Sequence, residues 1–286
     1  MTKWLRVAAA TAAALTWLTP KTAPALERVP FAFDDGTIRV QGTVNGHAVP
    51  MRIDLGAGVD VLSQSVGSRA VNVTGKFTTL SLTGQRVDLP IGGVVAMALG
   101  EFKVDSDTVG IWSGLGGTGI DGLISASAFR DVTATLDFRN HELLIEDAVS
   151  FVDRRRFASR IPLFLQDELG ISLSAFARFD FGHGQTGLCV VDTGTQDIMI
   201  DRRFAAKLGV NLADPGLKRV KTPLGNGLET TIGSLTLDGA DDSVVKQPRV
   251  VFEDLVYDCN VGNAFWADKV ITLDIPHRVM YVAPPA

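Results

Sequence analysis

Leu188-Cys189-Val190-Val191-Asp192-Thr193-Gly194-Thr195-Gln196-Asp197-Ile198-Met199-Ile200 is an apolar run that meets one acidic residue, turns at a glycine and becomes apolar again. Four hydrophobic residues in succession predict a buried strand. A carboxylate at the end of such a strand is costly to bury alone. The stretch therefore asks for a partner.

Val49-Pro50-Met51-Arg52-Ile53-Asp54-Leu55-Gly56-Ala57 has the same shape, with alternating apolar residues and then Asp-x-Gly-small. Apolar pairs follow each Asp at the same distance, Val61-Leu62 and Met199-Ile200. A later glycine stands 68 residues after Asp54 (Gly122) and 70 after Asp192 (Gly262); a second Asp follows at 83 (Asp137) and 82 (Asp274). These matches describe an internal duplication with a period of about 138 residues. Asp137 and Asp274 are expected at strand ends in the last hairpin of each half, with a structural role.

Asp192-Thr193-Gly194-Thr195 with Asn260-Val261-Gly262-Asn263, and Asp54-Leu55-Gly56-Ala57 with Ile120-Asp121-Gly122-Leu123, resemble the paired active-site elements of aspartic peptidases of retropepsin and pepsin type. The resemblance covers nearly all of the chain after residue 36. Its second copy is specific and its first is degenerate, because Leu55 stands where the family carries Thr or Ser. The fold implied is all-β, with two homologous retropepsin-like closed β-barrel lobes in one chain and a cleft between them, the pepsin-like bilobal arrangement. Asp54 and Asp192 would be the catalytic pair, supported by Gly56, Ala57, Thr193, Gly194 and Thr195. The Thr193 hydroxyl would bond across the lobe interface, while Leu55 leaves the reciprocal bond unmade. Hairpins turning at Thr83-Gly84-Gln85 and at Leu224-Gly225-Asn226-Gly227 are the flap candidates. In the resembled fold the strands carrying Cys189 and Cys259 run side by side, so a disulfide is one option; two buried free thiols are the favoured one.

A chain of 286 residues allows one or two domains. Its 29 glycines, 7% aromatic content and short Val/Ile/Leu/Thr runs between turn residues favour an all-β protein. A net charge of -5 with a pI near 5.4 carries no nucleic-acid footprint. Lys3 and Arg6 flank an apolar run from Val7 to Leu18, and Ala23-Pro24-Ala25 follows as a cleavage site. Residues 1–25 therefore read as a secretory signal rather than a spanning helix, with no stable membrane insertion once the signal is removed. The expected lobes are 26–150 and 163–286, joined by a linker at 151–162.

Asn45-Gly46 between alternating runs signals a hairpin, and Gly182-His183-Gly184 marks its counterpart, so both key aspartates leave the second strand of a hairpin. Asp201 is expected to cap a short helix from Arg202 to Leu208, with a weaker counterpart beginning at Ser63. Arg154-Arg155-Arg156 in the linker reads as a solvated face. Gly114-Leu115-Gly116-Gly117-Thr118-Gly119 matches a dinucleotide-binding pattern, but no crossover helix follows it. The four histidines fall singly and neither cysteine has metal-ligand neighbours, so no metal and no cofactor are expected.

The implied function is that of an exported, periplasmic or extracellular aspartic endopeptidase acting on polypeptide in extended conformation, for which a monomer suffices. Two alternatives stand beside it. One is a peptide-binding pseudo-peptidase with a degenerate first loop, and the other a peptidase active only as a dimer of Asp192 lobes.

Overall fold

In the computed structural model, residues 26–94, 96–105, 107–222 and 225–283 are described. The signal assigned to 1–25 and the flap candidate Leu224 lie outside them. The two hairpins form where the turn residues place them. Thr37–Val44 pairs with His47–Ile53 across Asn45-Gly46, both of which have positive φ. Ser172–Asp180 pairs with Thr186–Val191 across a turn in which Gly182, His183 and Gly184 all have positive φ. Alternation along these strands sends Ile38, Met51 and Ile53, or Ala177, Cys189 and Val191, into the core with no more than traces of exposure.

The strand carrying each aspartate is then joined on its other side by a parallel strand from far along the chain. His47–Ile53 takes Gly122–Ile124, and Thr186–Val191 takes Cys259–Val261. Val61–Ser63 and Ile198–Asp201 close the far edge of these strands antiparallel. Each half extends this motif into a ten-stranded sheet that curls into a half-barrel, so the expected two-lobed all-β architecture is present.

The pairing corrects the spacing of the repeat. Ile53 faces Ile124 while Val191 faces Val261, so Leu123-Ile124-Ser125, not Ile120-Asp121-Gly122, is the counterpart of Asn260-Val261-Gly262. A Cβ at Gly262 would lie 2.3 Å from the Asp197 carbonyl oxygen, which enforces glycine in the second lobe. In the first lobe Ser125 stands there instead. Its amide donates to the Asp60 carboxylate at 2.6 Å, where Gly262 N donates to the Asp197 carbonyl at 3.1 Å. Asp60 occupies the place of the apolar Ile198, and the two substitutions compensate one another.

A third sheet joins the lobes. Glu27–Pro30, Glu142–Ile145 and Thr133–Asp137 from the first half continue into Val270–Asp274, Val279–Ala283 and Ser159–Pro162 from the second. At its centre Thr135 and Thr272 face each other with their hydroxyls 2.7 Å apart, marking an approximate twofold axis.

The region between the repeats is ordered as a helix, Ala148–Arg155, entered through a capping box at Asp147 and Ser150, and then as the edge strand Ser159–Pro162. Arg154 is not a solvated side chain. Its guanidinium reaches Glu146 at 3.2 Å and Asp137 at 3.4 Å, two carboxylates buried beneath the helix. Asp137 also accepts from the amides of Arg139 and Asn140, in keeping with a structural role at a strand end.

Two further expectations are revised. Cys189 and Cys259 form a disulfide rather than two free thiols, because the parallel register sets them directly opposite with Cα atoms 4.5 Å apart. The helix expected from Arg202 to Leu208 is two 3-10 turns, Arg202–Phe204 and Ala206–Leu208, capped by Asp201 and ended by Gly209 at positive φ. The weaker counterpart is the true α-helix, Gln64–Ala70, capped by Ser63.

Candidate active site

Both aspartates sit where a strand leaves its parallel partner, and their amides are held by it: Asp54 N donates to Ile124 O at 2.8 Å and Asp192 N to Val261 O at 3.1 Å. The two loops then meet between the lobes. A Cβ built on Gly56 would come within 2.5 Å of the Asp192 carboxyl carbon, and one on Gly194 within 2.1 Å of that of Asp54. Glycine at both positions is thus required by the opposite carboxylate. The two carboxyl groups are in hydrogen-bond contact and hold one proton between them.

Each carboxyl has its own donors. Asp54 Oδ1 accepts from Ala57 N at 3.0 Å. Asp192 Oδ1 accepts from Gly194 N at 2.7 Å, and its Oδ2 from the Asn260 amide at 2.7 Å. Burial raises the Asp54 pKa, opposed by the Ala57 amide, the Arg52 charge and the bond from Asp192. Burial also pushes Asp192 up to about 7, reinforced by the neighbouring Asp54 charge and opposed by Asn260 and the Gly194 amide. The pair therefore carries one proton over the acid to neutral range, an ionised and a protonated carboxyl side by side.

Thr193 is fully buried and grips the first lobe by main-chain atoms. Its hydroxyl donates to Ile53 O at 3.0 Å and accepts from Leu55 N at 3.1 Å. The Leu55 side chain is equally buried and has no hydroxyl to return the contact. Asn263 adds a second clasp, donating to Gly36 O and Thr193 O, both at 2.8 Å. Thr195 closes its own turn by accepting from Asp197 N at 3.3 Å.

A cleft of about 350 Å³ opens over the pair. Val61, Leu89, Leu115, Leu123 and Trp112 line it from the first lobe, and Val190, Met199 and Tyr257 from the second. The hairpin Asn72–Leu80 with Arg86–Gly93 spans it, contributing Phe77, Thr79, Leu80, Leu82 and Val87. At its tip Leu82 packs against Met199, Val251 and Leu255, while Leu82 O accepts from Val256 N at 2.8 Å. The turn Thr83-Gly84-Gln85 thus lands on the second lobe, with Gly84 against Val256.

The other turn candidate is placed elsewhere. Gly225 and Gly227 pack on Glu253 and Val251 of their own lobe, Asn226 O accepts from Arg202, and none of the three lines the cleft.

Two residues of the site stand in the quoted repeat elements without a role assigned from sequence. Asn260 stands in an apolar strand position and was signalled only by its polarity among Cys259 and Val261. Arg52 has the same parity as Asp54 on its strand, hence the same face, and Leu123 lies beside it. Its NH1 donates across the lobes to Gly194 O at 3.3 Å, and its buried Nε has no partner among the described residues. Among the described residues no cluster of His, Cys, Asp and Glu could hold a metal ion.

No protein-family model and no curated protein matches the sequence. Solved structures do. An aspartic proteinase from Irpex lacteus superposes with a TM-score of 0.55 at 14% identity, covering 92% of this chain and 98% of the proteinase. Basic 7S globulin from soybean gives 0.53 at 12% identity, covering 90% and 94%. One relative in shape is named a proteinase and the other a globulin, so the activity has to be argued from the site. What these likenesses establish is the two-lobed pepsin-like fold, over nearly the whole chain.

Proposed function

We propose that the chain is an exported aspartic endopeptidase in which Asp54 and Asp192 activate a water. The observation that carries this reading is the paired carboxyls of half-buried Asp54 and buried Asp192 at the floor of a cleft of about 350 Å³ between the lobes. Ionised Asp54 takes a proton from a water held between the carboxyls. That water attacks the scissile carbonyl while protonated Asp192 donates to the carbonyl oxygen. The tetrahedral gem-diol then breaks its C–N bond as the amine leaving group accepts the proton from Asp54, while one gem-diol hydroxyl returns its proton to Asp192, which leaves a carboxylic acid and restores the starting state of the pair. No covalent intermediate is needed.

An extended peptide fits the cleft beneath the Asn72–Gly93 hairpin, with apolar side chains taken by the Val61, Leu89, Leu115 and Leu123 wall. Pairing of Asp54 with Asp192 inside one chain favours a monomer over a dimer of Asp192 lobes. The buried disulfide supports an oxidising, extracytoplasmic compartment, in line with a signal at 1–25.

The test is cleavage of a diverse peptide library by the purified chain between about pH 3 and pH 8, read by mass spectrometry. Asp54→Asn and Asp192→Asn should each abolish cleavage by at least about a thousandfold while leaving the fold intact. Absence of cleavage by folded wild-type protein across that range would refute the peptidase reading.

A further inference from the structure

Arg52 and Val190 occupy equivalent places, each two residues before its aspartate and each lining the cleft. A cation on one side and an aliphatic group on the other make the floor of the site asymmetric, although the loops above it are built alike. The guanidinium is poorly used by the protein itself. Among the described residues, one long bond to Gly194 O is its only hydrogen bond, its buried Nε has no partner, and no carboxylate lies within ion-pair distance. Outside the Asp54–Asp192 pair, Glu168 is the other charged residue lining the cleft among the described residues, and it accepts from Gln166 at 2.9 Å.

A half-buried guanidinium with most of its donors idle is matched best by a carboxylate, which it can bind through two parallel bonds. Resting on the endopeptidase reading, we infer that Arg52 selects an acidic side chain on the substrate residue beside the scissile bond. Val190 takes an apolar group at the equivalent place on the other side. Such a substrate brings its own negative charge next to Asp54, and Arg52 offsets the repulsion.

Paired peptides that differ only in Glu or Gln at that residue, each with a free or an amidated C-terminus, test this. The Glu peptide should exceed the Gln peptide in kcat/KM by roughly tenfold to a hundredfold, the value of a charge-assisted contact. Arg52→Met should cost the Glu peptide that margin and the Gln peptide far less, and Arg52→Lys should restore part of it. A preference that follows the free terminus instead would overturn the inference, since a terminal carboxylate beside the cleaved bond belongs to exopeptidase substrates. Equal loss for both peptides in Arg52→Met would overturn the inference and leave Arg52 as a counter-ion to Asp54 alone. Calorimetric titration of the same peptides into Asp192→Asn protein reads the preference without any bond being cut. An Arg52-dependent preference there upholds the inference even if wild-type protein cleaves nothing; its absence overturns it.

Discussion

Asn260 is the one side chain that donates to Asp192, and its amide lowers the pKa that burial and Asp54 raise. Asn260→Val should therefore move the alkaline limb of the peptidase pH profile upward from about 7, because the protonated form of Asp192 then persists further. A limb that stays in place or moves down would assign that limb to another group. Asp60 provides a separate residue-scale test. Burial pushes its carboxyl up to about 7 from 3.8, despite the bonds from Ser125. Its contribution to stability is complete below about pH 4 and is lost as pH rises to about 7, since the unfolded chain gives up the proton first. Asp60→Asn keeps an acceptor for the Ser125 amide and buries no charge. It should gain on the order of 2–4 kcal/mol relative to wild type between acid and neutral pH, measured by urea unfolding at both. Asp54 and Asp192 were legible at this scale because the signals around them are local, an apolar run, an Asp and a glycine. Asp60 was not, because the reason for a carboxylate in a core position lies at Ser125, far along the chain.

The hairpin over the cleft is an element fastened at its tip to the opposite lobe. Leu82 inserts beside Met199, Val251 and Leu255, and the Val256 amide donates to the Leu82 carbonyl at 2.8 Å. A peptide entering the cleft has to lift this tip or thread beneath it. Leu82→Ser should speed amide hydrogen exchange at 81–86 at least about tenfold, with less than about 1 kcal/mol lost in global stability, since the element frays locally. Unchanged exchange would mean that packing of Leu82 does not hold the tip. Hairpins and their turns were readable from Asn45-Gly46 and Gly182-His183-Gly184, whose backbone demands are intrinsic to those residues. Which hairpin covers the site was not, because the two are alike in sequence character and differ in what they pack on. The true register of Leu123-Ile124-Ser125 was likewise hidden, since Gly122 imitates the glycine of the second lobe while Ser125 occupies its place.

At the scale of the molecule the lobes are joined by the six-stranded sheet as well as by the Thr193 and Asn263 clasps, and an ion cluster lies on that sheet. Thr135 bonds both Thr272 and Glu146, and Arg154 closes over Glu146 and Asp137. Arg154→Met leaves two buried carboxylates without their cation and should destabilise the chain by about 3 kcal/mol, read by chemical denaturation, with Arg154→Lys recovering part of the loss. An effect near zero would show that water reaches the carboxylates in the folded state. The duplication made the bilobal plan visible in sequence, but Arg154 sits in an arginine run that resembles any solvated face. The partner that makes it structural arrives only when the sheet assembles.

The grip of Thr193 bears on how the two halves could diverge. Its anchors in the first lobe are the Ile53 carbonyl and the Leu55 amide, atoms that every residue but proline presents. The joint is therefore indifferent to the side chain at 55, and Thr193 makes its half of the clasp with no hydroxyl returned from the first lobe. Position 55 can thus be exchanged without touching the seam, so a two-lobed chain of this kind does not need matched loops to keep its halves in register.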